Sequence, residues 1–186
     1  SAIISGYASI SNKACVYEKA RVAGHARILD EAQVFGNAMV YNDACVYGRA
    51  TVGDHAEVSD FAYVCGDASV SCAAWVYGRA TVGGKAEVSG GAQVYDNACV
   101  GDNAVVSDDT YVYGHASIGG DSKVLDSAKV YGSVRTYNNA VISDNAEVYG
   151  SVTVYDNVVI SGSAQVYGNT KISGNVKVCD HAVVGG

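Results

Sequence analysis

The chain has no proline, one methionine and one tryptophan in 186 residues, and leucine appears only as Leu29 and Leu125. With so little leucine and methionine there is no material for amphipathic helices. The abundant valine, alanine, glycine, tyrosine, asparagine and aspartate favour short strands and tight turns instead. No stretch approaches the apolar length of a membrane span, and the first residues lack a basic-then-apolar leader pattern. Cations are scarce: 12 Lys and Arg against 19 Asp and Glu leave a net charge of −7. That balance argues against nucleic acid or an anionic membrane as the main partner. No C-x-x-C pair marks a zinc site.

What the sequence does contain is a period of six. Val or Ile occupies every sixth position from Ile4 to Val184, with Thr136 as the one exception. Two residues before each lies a small side chain, Ala throughout from Ala2 to Ala104 and then Ala, Ser, Thr or Val. A short period held this long without insertion is the mark of a solenoid. In the hexad Val100-Gly101-Asp102-Asn103-Ala104-Val105, strand alternation points Val100 inward and Gly101 outward. Asp102 and Asn103 make the turn, Ala104 points inward at the corner, and Val105 points outward. The second turn position is often Asn (Asn37, Asn97, Asn103, Asn139, Asn145, Asn157, Asn169, Asn175), a residue that tolerates the left-handed conformation.

The residue after each core Val sets the coil length. Every third hexad gives Tyr77, Tyr95, Tyr113, Tyr131, Tyr149 and Tyr167. The next phase gives Gly83, Gly101 and Gly119, and the third is mostly serine, from Ser71 to Ser161. Like residues recur at a spacing of 18, so three hexads close one triangular coil. The 186 residues then make about ten coils and a rod about 50 Å long. The expected fold is all-β, without helix, and residues 1–186 form one continuous domain. Thr136 lies two residues after Val134, and the expectation is that the larger corner residue compensates the smaller core one, with Thr136→Val tolerated.

The tandem hexads, such as Ala-Gln-Val-Tyr-Asp-Asn at 92–97 and Ala-Glu-Val-Tyr-Gly-Ser at 146–151, resemble the hexapeptide-repeat, left-handed parallel β-helix family along the whole chain. The resemblance implies the left hand, which the period alone does not, since right-handed crossovers are the general rule. It also implies a range of roles. Many members are acyltransferases that use a histidine, bind coenzyme A between coils of adjacent protomers and carry a segment that breaks the repeat. Others are γ-class carbonic anhydrases or lack known activity. The Tyr-Gly/Asp-Asn style is closest to the poorly characterised transferase-like members.

No repeat-breaking segment is present here. His25, His55, His115 and His181 all sit at the second turn position. The pairs that share a corner are five and seven coils apart, about 24 Å or more, so one chain cannot bring two together for zinc. The serine column has no neighbouring histidine to serve as a base. No catalytic residue and no cofactor are therefore expected. Asp108, Asp126 and Asp144 stack at one corner and form a candidate Ca²⁺ column, or else are turn-forming aspartates on a wet corner. The six cysteines share no column in adjacent coils, so they are expected as free thiols, which suits a reducing, cytoplasmic location.

The aromatic face is the stronger candidate site. Tyr41 belongs to the same column, and the neighbouring outward column adds Trp75 and Tyr111. Stacked tyrosines can simply hold adjacent coils together. A broad flat strip can instead pack against another protomer or bind a glycan. The repeat is already complete at Ala2–Ile4 and still running at Val184–Gly186, so the expectation is either a piece of a longer protein or rods that stack end to end. The overall expectation is a non-catalytic β-solenoid rod acting as scaffold, spacer or self-assembly module. An acyltransferase-like protein and a binding module using the tyrosine face are the alternatives.

Overall fold

The computed structural model describes all residues Ser1–Gly186. Each hexad contributes one short parallel strand, most of them two residues long, and there is no helix. The strands form three sheets of 11, 10 and 10 strands, in which each pairs with the strand three hexads later. Register is constant: Val58 pairs with Val76 on one face, Val64 with Val82 on the next and Val70 with Val88 on the third. The predicted coil of 18 residues, with three faces, is what forms.

The core follows from the pattern. β-branched Val and Ile fit the extended backbone, and alternation points them into the prism. A single hydrophobic cluster of 49 buried residues, all Val, Ile or Ala, runs up the axis. Each fully buried Val or Ile stabilises by about 1.5–3 kcal/mol before conformational entropy is subtracted. Parallel strands tie each coil to the next, as in the Cys15 N–H to Ala32 carbonyl bond of 2.9 Å.

The corners depart from expectation. The left-handed residue is the first turn position, not the second. Every first-position residue from Gly6 to Asp180 has φ between 54° and 90°, and none of the second-position asparagines does. Hydrogen bonding supplies the reason. The second turn residue donates its N–H to the first turn residue one coil further on, as in His25 to Asn42 at 2.7 Å. The first residue's own N–H then faces the preceding coil, where an acid can reach it. Gly120 N–H donates to Asp102 Oδ2 at 2.8 Å, and Gly162 N–H to Asp144 Oδ2 at 2.8 Å. Ten acidic side chains between Glu18 and Asp156 accept such a bond. Each is worth about 1 kcal/mol at an exposed corner. Glycine is the other solution. At Gly120 a Cβ would lie 2.4 Å from the Asn138 nitrogen, so the coils close that tightly only over glycine.

The compensation expected at Thr136 is not needed. Val152 and Val158 occupy equivalent corners ahead of full-size Val154 and Ile160, and all four are completely buried. The corner therefore accepts valine without a smaller core residue. Instead, the hydroxyls of Thr110, Ser122 and Thr136 are buried without a hydrogen-bond partner. They lie within the stretch where the corner is no longer uniformly alanine.

Candidate functional site

Side chains that leave the prism are repeated every 4.8 Å or so up each face, so like residues form columns. The strongest column is the predicted one. The rings of Tyr77, Tyr95, Tyr113, Tyr131, Tyr149 and Tyr167 stack in succession, with centroids 4.8–5.4 Å apart and planes within 12° of parallel. The rings lean along the rod. Tyr77 donates its hydroxyl to Gln93 Oε1 at 3.3 Å, and Tyr17, on another face, makes the same reach to Gln33 at 3.2 Å. Backbone pairing lengthens beside the stack: Lys129–Gly132 and Glu147–Gly150 are four-residue strands paired residue for residue.

Four phenols of the stack, Tyr77, Tyr95, Tyr113 and Tyr131, are weaker acids than free tyrosine. Burial first, then the neighbouring phenols Tyr77 and Tyr113, push Tyr95 up to about 12. Burial also raises Tyr77, Tyr113 and Tyr131, with Asp96 or Glu147 adding to it. In the outward column beside them, Tyr111 is partly covered while Trp75 is 47 % exposed. Lys129 and Glu147 pair across coils in that column at 3.3 Å, an exposed bridge worth about 0–1 kcal/mol.

The tyrosine column has an interruption. Below Tyr77 the column runs Tyr41, Ser59, Tyr77. The serine leaves a cleft of about 330 Å³ lined by Tyr41, Glu57, Ser59, Asp60, Trp75 and Tyr77. The signal was legible as one missing tyrosine in the column. Its meaning depends on Glu57 and Asp60 converging there, which the column alone does not reveal. Other aromatic pairs are local: Tyr7 with His25, Tyr17 with Phe35, and Tyr137 with Tyr155, over which the Lys171 ammonium lies 5.0 Å from the ring centre.

The remaining candidates are accounted for by the scaffold. Asp108, Asp126 and Asp144 do stack, but Asp108 accepts the N–H of Asp126 at 3.3 Å, Asp126 that of Asp144 at 3.0 Å, and Asp144 that of Gly162. Each thus gives one carboxylate oxygen to a backbone amide of the next coil. No group of three His, Cys, Asp or Glu side chains is gathered closely enough to hold a metal ion. The four histidines remain in well-separated coils; His55 meets Asn37 at 3.3 Å. All six cysteines are free thiols, with Cys45 buried. No helix is long and apolar enough to cross a membrane.

Comparison with known proteins bears on the fold. Residues 32–48 match the family described as YdcK Beta solenoid repeat. Among solved structures, the chain is similar to the Arabidopsis UDP-N-acetylglucosamine acyltransferase, with a TM-score of 0.81 at 18 % identity over 96 % of this chain and 69 % of that one. The fold is a left-handed parallel β-helix. LpxA from Acinetobacter baumannii aligns over 99 % of this chain and 71 % of its own, at 13 % identity and a TM-score of 0.44. No curated protein matches the chain in sequence. The β-helix therefore carries a tyrosine stack on one face, an acid-lined cleft at the interruption of that stack, and corners held by carboxylates.

Proposed function

We propose that this β-helix is a non-catalytic structural rod whose tyrosine face is a protein-contact surface, used for association with further copies of the chain. The observation that carries this reading is the ladder of six parallel tyrosines. Its rings are held by their neighbours, so a partner that packs on them costs little side-chain ordering. Tyrosine offers a flat apolar body with a polar tip, which suits a contact that forms from water. The rigid core below keeps the strip straight.

The test is the mass of the molecule in solution. The triple substitution Tyr95→Ser, Tyr113→Ser and Tyr131→Ser is expected to shift sedimentation from associated to single rods while the far-ultraviolet spectrum stays that of a β-helix. An unchanged oligomeric mass would end this use of the face.

A second reading rests on one observation, the fold similarity to the Arabidopsis acyltransferase. It makes the chain an acyltransferase-like protein. Incubation with UDP-N-acetylglucosamine and an acyl thioester separates the two readings: acylated product favours the enzyme, and recovery of both substrates unchanged favours the rod.

A further inference from the structure

The interruption of the tyrosine column has the shape of a binding slot. Tyr41 sits as Tyr77 does, since each reaches with its hydroxyl to the residue 16 positions on, Tyr41 to Glu57 and Tyr77 to Gln93. Tyr41 therefore leans over the coil of Ser59, and with the same lean a ring at 59 would lie over the coil of Tyr77, beside Trp75. The two tyrosines are two coils apart, about 9.6 Å. Rings in the filled column stand 4.9 Å apart, so one flat ring inserted midway would take the spacing that the column already uses. Ser59 forms a closed floor, only 7 % exposed, while Trp75 flanks the mouth.

The polar groups of the cleft set the chemistry of the guest. Asp60 is spent on the scaffold, accepting from Asn42 Nδ2 at 2.9 Å and from Gly78 N–H at 3.1 Å, yet its negative charge remains. Glu57 takes the Tyr41 hydroxyl on Oε1, and its other oxygen accepts no hydrogen bond. No basic residue lines the cleft, and the chain as a whole carries −7. Two carboxylates and two aromatic faces with no counter-charge favour a cation, and the flat spacing favours a planar one.

We infer that the cleft at Ser59 binds a small, flat, nitrogen-containing aromatic cation, sandwiched between Tyr41 and Tyr77 with its N–H groups donating to Glu57. Trp75 is the single tryptophan of the chain and reports directly on occupancy. The probe is 2-aminobenzimidazole, a flat ring with a guanidinium-like edge, titrated into the full chain while tryptophan emission is followed. Saturable quenching is expected. Ser59→Tyr fills the column from within and should abolish the saturable signal while raising the melting temperature. Glu57→Gln leaves the slot open and should weaken binding by about tenfold or more, the loss of a charge-assisted hydrogen bond.

Three results would overturn the inference. These are no saturable quenching in the native chain, binding that survives Ser59→Tyr in a folded variant, or an affinity indifferent to Glu57→Gln. Saturation by N-acetylglucosamine but not by the probe would assign the slot to a puckered sugar and likewise reject the flat cation. The slot is independent of the proposed contact role, because triple substitution at Tyr95, Tyr113 and Tyr131 leaves Tyr41, Ser59 and Tyr77 in place.

Discussion

Two stretches of one column on one face differ by a single side chain. From Tyr77 to Tyr167 every coil supplies a ring, and the rings stack at 4.8–5.4 Å. From Tyr41 to Tyr77 the middle coil supplies Ser59, and a cleft opens with Glu57 and Asp60 at its edge. The inward valines beneath keep one register through both stretches, with Val58 paired to Val40 and to Val76 and Val130 paired to Val148. A β-helix thus separates two properties that most folds entangle. The inward residues keep the coil intact, so an outward column can be filled or emptied without moving the frame. One omitted ring is enough to turn a stabilising ladder into a receptacle.

The comparison can be broken from either side. The largest effect is expected from opening a second gap. Tyr113→Ser removes two ring contacts, each about 0.5–1.5 kcal/mol, together with part-buried apolar area, and should cost about 2–3 kcal/mol in urea unfolding. A loss below about 0.5 kcal/mol would mean that the stack is ornamental to stability. Filling the natural gap is the converse. Ser59→Tyr places a ring between Tyr41 and Tyr77 and should stabilise by about 1–2 kcal/mol. Tyr95 already lies close enough to Tyr111 to feel its charge, so a tyrosine at 59 beside Trp75 has a precedent in the column. Destabilisation by this change would show that the two flanking rings are not in register.

Away from the face, Thr136→Val removes a buried hydroxyl that has no partner and should leave stability unchanged or raise it by about 1 kcal/mol. A loss greater than that would point to a hydrogen bond made by the hydroxyl. The smallest effect is an alkaline one. Tyr95 ionises near 12 in the folded chain against 10 when free, so the folded state holds its proton longer than the unfolded state. Stability is then full below pH 10 and falls as the pH climbs toward 12. Solvent screens these half-exposed rings, so the drop is modest. It should shrink in Tyr113→Ser, which removes one of the neighbours that raise Tyr95, and urea midpoints measured across the window would show it.

How much was legible in the residues depends on whether a feature repeats. Val and Ile at every sixth position, and the Tyr, Gly and Ser columns at every eighteenth, announce the coil, its three faces and the ladder, because periodic burial has few geometric solutions. The left hand came from resemblance and is borne out by the structural similarity. The corners were read less well. Eight second-position asparagines suggested the left-handed site, yet φ is positive at the residue before each of them. Propensity alone could not decide between adjacent turn residues. The hydrogen bond that the Gly120 N–H donates to Asp102 Oδ2 does, and it exists only once one coil lies upon the next.

The sequence by itself determined the periodic part of this protein: coil length, inward valines, constant register and the column of rings. These follow from alternation and burial, which act within a few residues and recur identically in every hexad. The tertiary structure alone decided what happens between coils. It turned the acids of one coil into acceptors for the amides of the next, as along Asp108, Asp126 and Asp144. It also brought Glu57, Asp60 and Trp75 to the edge of a missing ring. Such contacts join residues sixteen to eighteen apart whose own neighbours say nothing of the meeting, and only the stacking of coils brings them within reach.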